Sequence, residues 1–222
     1  MKRFERSRNG HLYTNMTTFE YIFNKTMSHE GYYANVAQDR GGETYRGIAR
    51  KYWPNWEGWK IVDQEKRNNG GSLPHNYRIV DATLDKLVLS FFKTHYWEKP
   101  LFDKVRDKQL AGLLFDFYVN SSSSAIRVVQ DTLNKHFGQM LKVDGVMGNN
   151  TLAAINAVNG YMLFNQLVEE RKAFYQRIVA ANPSQSVFLK GWLARAQSYA
   201  YESISGLLIL TAGAAFYWFK YR

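Results

Sequence analysis

The chain has 222 residues, of which 45% are hydrophobic and 22% charged, and a net charge of +10. That length and balance give one large or two small domains with a sizeable core, and they exclude a wholly disordered chain. Cysteine is absent, which excludes disulfides, Cys-ligated zinc and thiol catalysis.

The five histidines (11, 29, 75, 95 and 136) form no His-x-x-x-His pair, and there is no phosphate-binding glycine loop. No metal and no nucleotide cofactor is therefore expected. The charge excess is +4, +2, +3 and +1 over residues 1–60, 61–110, 111–200 and 201–222. So diffuse a field suits any polyanion, including nucleic acid, anionic lipid or bacterial wall. It lacks the Lys/Arg block of a nucleic-acid arm, and no nucleic-acid partner is expected. Aromatic residues reach 16%. They serve equally to stack on sugars or to fill a small core.

Residues 1–16 read as a polar leader. Lys2, Arg3, Arg6 and Arg8 precede no apolar stretch, so no secretory signal is expected. Thr17 and Glu20 fit a capping box. Phe19, Ile22, Phe23 and Met27 then continue at helical spacing, with Gly31 as a stop. Residues 31–47 are glycine-rich and read as turns or a short hairpin. The spacing predicts a short helix from Ile48 to Trp53, stopped before Pro54. A loop spans Arg67 to Ser72. A strongly periodic helix begins at Leu84 and runs to about Trp97. Further helices are predicted over 110–119, 125–137, 150–158, 162–181 and 187–201, with Ser121–Ser124 as a polar break.

The last segment differs. Seventeen residues, 203–219, carry no charge; Tyr199 and Tyr201 flank one end, Phe216, Tyr217, Trp218 and Phe219 close the other, and Lys220 and Arg222 lie beyond. At about 1.5 Å per residue they cover about 25 Å, the short end of a membrane span. The bland alternative is a buried last helix.

Chemistry concentrates in residues 29–48. Glu30 stands at a helix end. Asp39 follows nine residues on, and Thr44 five after that. Such a layout suits glycoside cleavage. One carboxyl group stays protonated to donate to the leaving oxygen, and another stays ionised to activate water or stabilise an oxocarbenium-like state. Glu30 fits the donor, Asp39 the partner across a cleft, and Thr44 the hydroxyl that orients water. The same three residues also fit a solvated face and a cap.

The full run is more specific. Glu30-Gly31-Tyr32-Tyr33-Ala34-Asn35 leads to Asp39-Arg40-Gly41-Gly42-Glu43-Thr44 and Gly47-Ile48. It resembles glycoside hydrolase family 108, the lysozyme-like N-acetylmuramidases of phages and bacteria. The likeness continues in Trp56-Glu57-Gly58-Trp59, Tyr96-Trp97 and Phe115-Asp116-Phe117-Tyr118-Val119-Asn120, and covers most of residues 17–200. It implies Glu30 as the catalytic acid. The Glu-x8-Asp-x4-Thr spacing is also similar to phage-type lysozymes, which have one more residue before the Thr.

Three positions depart from the family pattern. Tyr32 replaces a Gly, Arg40 a Pro and Ala49 a Thr. A left-handed backbone at position 32 would disfavour Tyr.

Residues 111–200 resemble the predicted peptidoglycan domain that accompanies this family. The run Val143-Asp144-Gly145-Val146-Met147-Gly148-Asn149-Asn150-Thr151 carries that likeness. Gly145 and Gly148 permit a tight turn, and Asn149 or Asn150 is expected to cap the next helix.

The expected fold is mainly α. A lysozyme-like domain with a small hairpin (17–110) precedes a helical peptidoglycan-binding region (111–200) and a C-terminal transmembrane helix (203–219). The expected catalytic residues are Glu30, Asp39 and Thr44. Tyr33, Asn35, Tyr96, Trp97 and Asn120 are candidates for substrate contact, although packing and turn-holding explain each as well. The expected partners are peptidoglycan and, through the last helix, a membrane. A phage or prophage endolysin tethered in the host envelope fits these features, and a non-catalytic wall-binding protein is the alternative.

Overall fold

The computed structural model describes residues 18–28, 30–35 and 42–201. The leader 1–16, Asp39 and the segment 203–219 lie outside the described residues. The chain divides into two compact units, one ending at Lys99 and the other starting at Pro100.

The first unit opens with helix α1, Thr18–Met27. Phe19, Ile22, Phe23, Thr26 and Met27 are its buried residues, the apolar stripe that its spacing foretold. Three short antiparallel strands follow in the order β1-β2-β3: Tyr33–Asn35, Glu43–Tyr45 and Ile48–Ala49. Arg46 and Gly47 connect β2 to β3 with φ of 51° and 78°. Two positive φ values in a two-residue loop match the strand twist that a tight hairpin needs.

The helix expected from Ile48 to Trp53 does not form. Ile48 and Ala49 pair with Tyr45 and Thr44 instead, and turns follow to Trp53. Ile48 is buried by that pairing, so tertiary contacts override a weak local pattern.

Helix α2, Gly58–Asn68, went unpredicted. Only Gly58, Trp59 and Val62 are buried along it, too few to make a readable stripe. Helix α3, Ala82–Phe92, starts at Asp81, whose carboxylate accepts from Leu84 N at 2.7 Å. It continues as a π-helix over Lys93–Glu98. The ring of Phe19 lies 5.5 Å from that of Trp97, and Phe23 lies 5.7 Å from Phe92. These contacts join α1 to the long helix and close the core.

The second unit is helical: α4, Lys108–Phe137; α5, Asn149–Ala157; α6, Gly160–Ala181; and α7, Ser186–Gln197. Asp107 caps α4, accepting from Gln109 N and Leu110 N at 3.0 Å each. Ser122, at φ 47° and ψ −128°, kinks α4 inside the serine run expected as a break. Phe117, Ala125, Val128, Tyr175 and Ala196 form the core there.

A buried ion cluster crosses this core. Asp116 is 0% exposed and meets Arg171 at 2.7 Å and Arg195 at 2.9 Å. Burial by itself would raise the Asp116 carboxyl. The two guanidiniums reverse that and hold it below the ordinary carboxylate value.

The fold is thus mainly α with a small three-stranded sheet. Among the described residues, no helix is long and apolar enough to cross a membrane.

Candidate active site

Glu30 sits where α1 gives way to the sheet. Its N–H donates to Met27 O at 3.2 Å, which turns the chain off the helix end. Two residues later the chain is held from a second side. Tyr32 N donates to Asn76 Oδ1 at 2.9 Å, and Asn76 N donates to Tyr33 O at 2.6 Å. Asn76 takes φ 60°, a left-handed conformation that Asn tolerates better than most residues. A Cβ on Gly31 would lie 3.2 Å from Asn76 Oδ1, so the close approach suits glycine there. Glu30 itself is half-buried. The backbone bearing the candidate acid is therefore fixed on both flanks.

Thr44 occupies the central strand, paired with Ala34 on one side and Ala49 on the other. Alternation puts it on the face opposite Glu43 and Tyr45. It is half-buried, with only small alanine side chains beside it on that face. Asp39 belongs to the segment outside the described residues.

Glu43 is a carboxylate that sequence reasoning missed. Its side chain is 12% exposed and bound on both oxygens. Tyr33 hydroxyl donates to Oε1 at 2.9 Å, Lys66 Nζ donates to the same oxygen at 2.8 Å, and Arg50 pairs with Oε2. Arg50 also forks onto Asp63 at 2.6 and 3.0 Å. Burial and the bond to Glu43 raise the Tyr33 phenol above its usual value. The same carboxylate raises Lys66, and the Arg50 bond lowers Asp63. No spacing marks Glu43. Only strand pairing, which sets it opposite Asn35 and next to Tyr33, reveals the cluster.

The candidate sugar contacts differ in exposure. Tyr33 is 2% exposed and Trp97 is 5% exposed, so both rings are core side chains with no open face for stacking. Asn35, at the end of β1, is exposed and within hydrogen-bonding reach of the Tyr33 hydroxyl. Tyr96 is half-buried, its ring 5.1 Å from Phe92. Asn120 belongs to the second unit. It is exposed and accepts from the Tyr175 hydroxyl at 2.7 Å.

Tyr32 has no left-handed strain, since its φ is not positive. Its ring instead meets the guanidinium carbons of Arg46 and Arg78, at 4.6 and 5.5 Å.

In the second unit, buried Gln130 organises the 143–151 loop. Its amide donates to Asp144 Oδ1 at 2.9 Å and Val146 O at 3.1 Å, and its carbonyl accepts from Gly145 N at 2.9 Å. Bonds from Gln130 and the Val146 N–H hold the Asp144 carboxyl below its usual value. Gly145 has φ 77°, as the expected turn requires. The expected Asn cap is absent: Gly148 occupies that position, and no side chain caps α5. A cavity of about 360 Å³ opens beside this loop, lined by Gln130, Lys142, Asp144, Asn149 and Thr151 among others.

Among the described residues, no cluster of three His, Asp or Glu side chains could hold a metal ion.

Residues 23–122 match glycosyl hydrolase 108, and residues 124–197 match the predicted peptidoglycan domain. Among solved structures the chain is similar to the structure of Brucella abortus SagA. The identity is 22%, over 84% of this chain and 97% of that one, with a TM-score of 0.54. At that identity the likeness is one of fold. No curated protein matches the chain. Glu30 and its pinned flanks, the sheet bearing Thr44 and the Glu43 cluster all fall inside the hydrolase match. Residues 23–122 are therefore a glycosyl hydrolase 108 domain, which makes the chain a glycoside hydrolase, and a predicted peptidoglycan domain follows at residues 124–197.

Proposed function

We propose that the protein is an N-acetylmuramidase that cleaves the β-1,4 bond of bacterial peptidoglycan, with Glu30 as general acid. The supporting observation is the placement of Glu30. It is a half-buried carboxyl at the helix-to-sheet corner, on a backbone held by Met27 and Asn76, inside the hydrolase match. Glu43 cannot take the role, because hydrogen-bond donors and cations occupy both of its oxygens.

In this reading Glu30 donates its proton to the glycosidic oxygen as the C–O bond breaks. Asp39 acts as base or stabilising anion. Thr44 orients the water that supplies the new hydroxyl at the anomeric carbon. Asn35 and Tyr96 in the first unit, and separately Asn120 in the second, are proposed to touch sugar, whereas Tyr33 and Trp97 are core side chains.

The remaining proposals follow from this reading. The region from 111 to 200 holds the wall, and the +10 charge draws the enzyme to an anionic polymer. A wall partner places the protein at the cell envelope. Residues 203–219 are proposed as a membrane tether, as in a phage lysin made in the host.

The test is digestion of purified walls, with the new reducing sugar identified. Wild type should release reducing N-acetylmuramic acid, and Glu30→Gln should not, with circular dichroism unchanged. Full activity in Glu30→Gln would overturn the assignment. Wall binding without any reducing ends in the wild type would favour a non-catalytic wall-binding protein.

A further inference from the structure

A cavity of about 450 Å³ lies between α1, the Arg46 turn, the Arg78 loop and the start of α3. Its lining combines Tyr32, Arg46, Arg78 and Lys86 with the carboxylates Glu20 and Asp85, over apolar side chains such as Phe23 and Val88. The two arginines are the unusual part. Both guanidiniums gather on one ring, that of Tyr32. Among the described residues, neither has a carboxylate within ion-pair distance. Arg46 has a single long bond to Met27 O, at 3.4 Å. Elsewhere in the same unit Arg50 is paired with two carboxylates, so the chain does not lack acids for its arginines.

We propose that this cavity is a carboxylate-binding subsite for the peptide arm of the wall strand. The proposal rests on the muramidase reading for its ligand. A muramidase cuts beside the sugar that bears the lactyl-linked stem peptide. Tyr32 is two residues from Glu30, at most about 7 Å of chain, so the cavity rim is within reach of that peptide. Stem peptides carry more carboxylates than amines. Guanidiniums bind a carboxylate through two parallel N–H donors, and an aromatic ring behind them fixes their plane. Asp85, also in the lining, suits the peptide's amine.

The test measures binding and not turnover, so it stands whether or not walls are cut. The full chain is titrated by calorimetry with the N-acetylated tetrapeptide Ala–γ-D-Glu–diaminopimelate–D-Ala, and with the same peptide fully amidated. The acid form should bind with a Kd of about 1 mM or tighter, and the amide at least about tenfold more weakly. Arg78→Gln and Tyr32→Gly should each weaken the acid form about tenfold, with circular dichroism unchanged. Arg78 is exposed, so its replacement does not disturb the core. Equal binding of acid and amide would overturn the proposal. So would full affinity in both variants, which would locate the peptide elsewhere, such as the second unit. No binding up to about 10 mM would overturn it too.

Discussion

The buried Asp116 cluster offers a sharp test of what holds the second unit together. Asp116→Ala removes the carboxylate shared by Arg171, fully buried, and Arg195, nearly so. Removing one partner from a buried ion pair costs about 3–5 kcal/mol, because the stranded charge keeps its full desolvation penalty. A domain has only about 5–15 kcal/mol in total, so the variant should be largely unfolded at modest denaturant. Urea unfolding followed by circular dichroism measures this, with Asp131→Ala as the comparison. Asp131 forms an exposed pair with Lys135 and should change stability by less than about 1 kcal/mol. The cluster also sets an acid limit. The folded Asp116 carboxyl lies below its unfolded value, so its stabilisation is present above about pH 4 and fades as pH falls through the folded value. A loss below about 1 kcal/mol in Asp116→Ala would refute the reasoning.

Four further outcomes are expected. Glu43→Ala should cost about 1–3 kcal/mol in urea unfolding, since it strips bonds from Tyr33, Lys66 and Arg50, whereas Glu57→Ala, at an exposed pair with Lys60, should cost almost nothing. Asn76→Gly keeps the left-handed backbone but drops the acceptor for Tyr32 N; wall-clearing kcat should fall about tenfold with KM little changed, and Asn76→Asp should restore it. Tyr201, whose bond to Asp107 pushes its phenol up to about 12, should ionise late in an ultraviolet titration. The folded form holds that proton longer than the unfolded form, so the stability it adds is lost as pH rises from about 10 to 12.

Long helices were legible in the sequence because each buries a continuous stripe. Phe19, Ile22, Phe23 and Met27 marked α1, and Leu84, Val88, Phe91 and Phe92 marked α3. The serine break also appeared, as the kink at Ser122. What failed depended on contacts distant in sequence. Ile48 and Ala49 are a strand only because β2 lies beside them, and α2 shows too little apolar surface to announce itself. In the candidate site, Glu30 could be nominated as an acid from its motif. Its support could not, because Asn76 is more than forty residues away and reaches it through an unusual backbone angle. Tyr33 and Trp97 looked like sugar platforms because aromatic residues read alike whether they face a ligand or a core.

The Asp116 cluster bears on how such proteins can be rearranged by recombination. Asp116 falls in the hydrolase segment, while Arg171 and Arg195 fall in the peptidoglycan segment, and α4, kinked at Ser122, spans the junction between them. A crossover placed between the two segments, near position 123, would pair one parent's acid with another parent's arginines. Chimeras should therefore survive only when both parents carry the same charged trio, or when the exchange point moves upstream of α4.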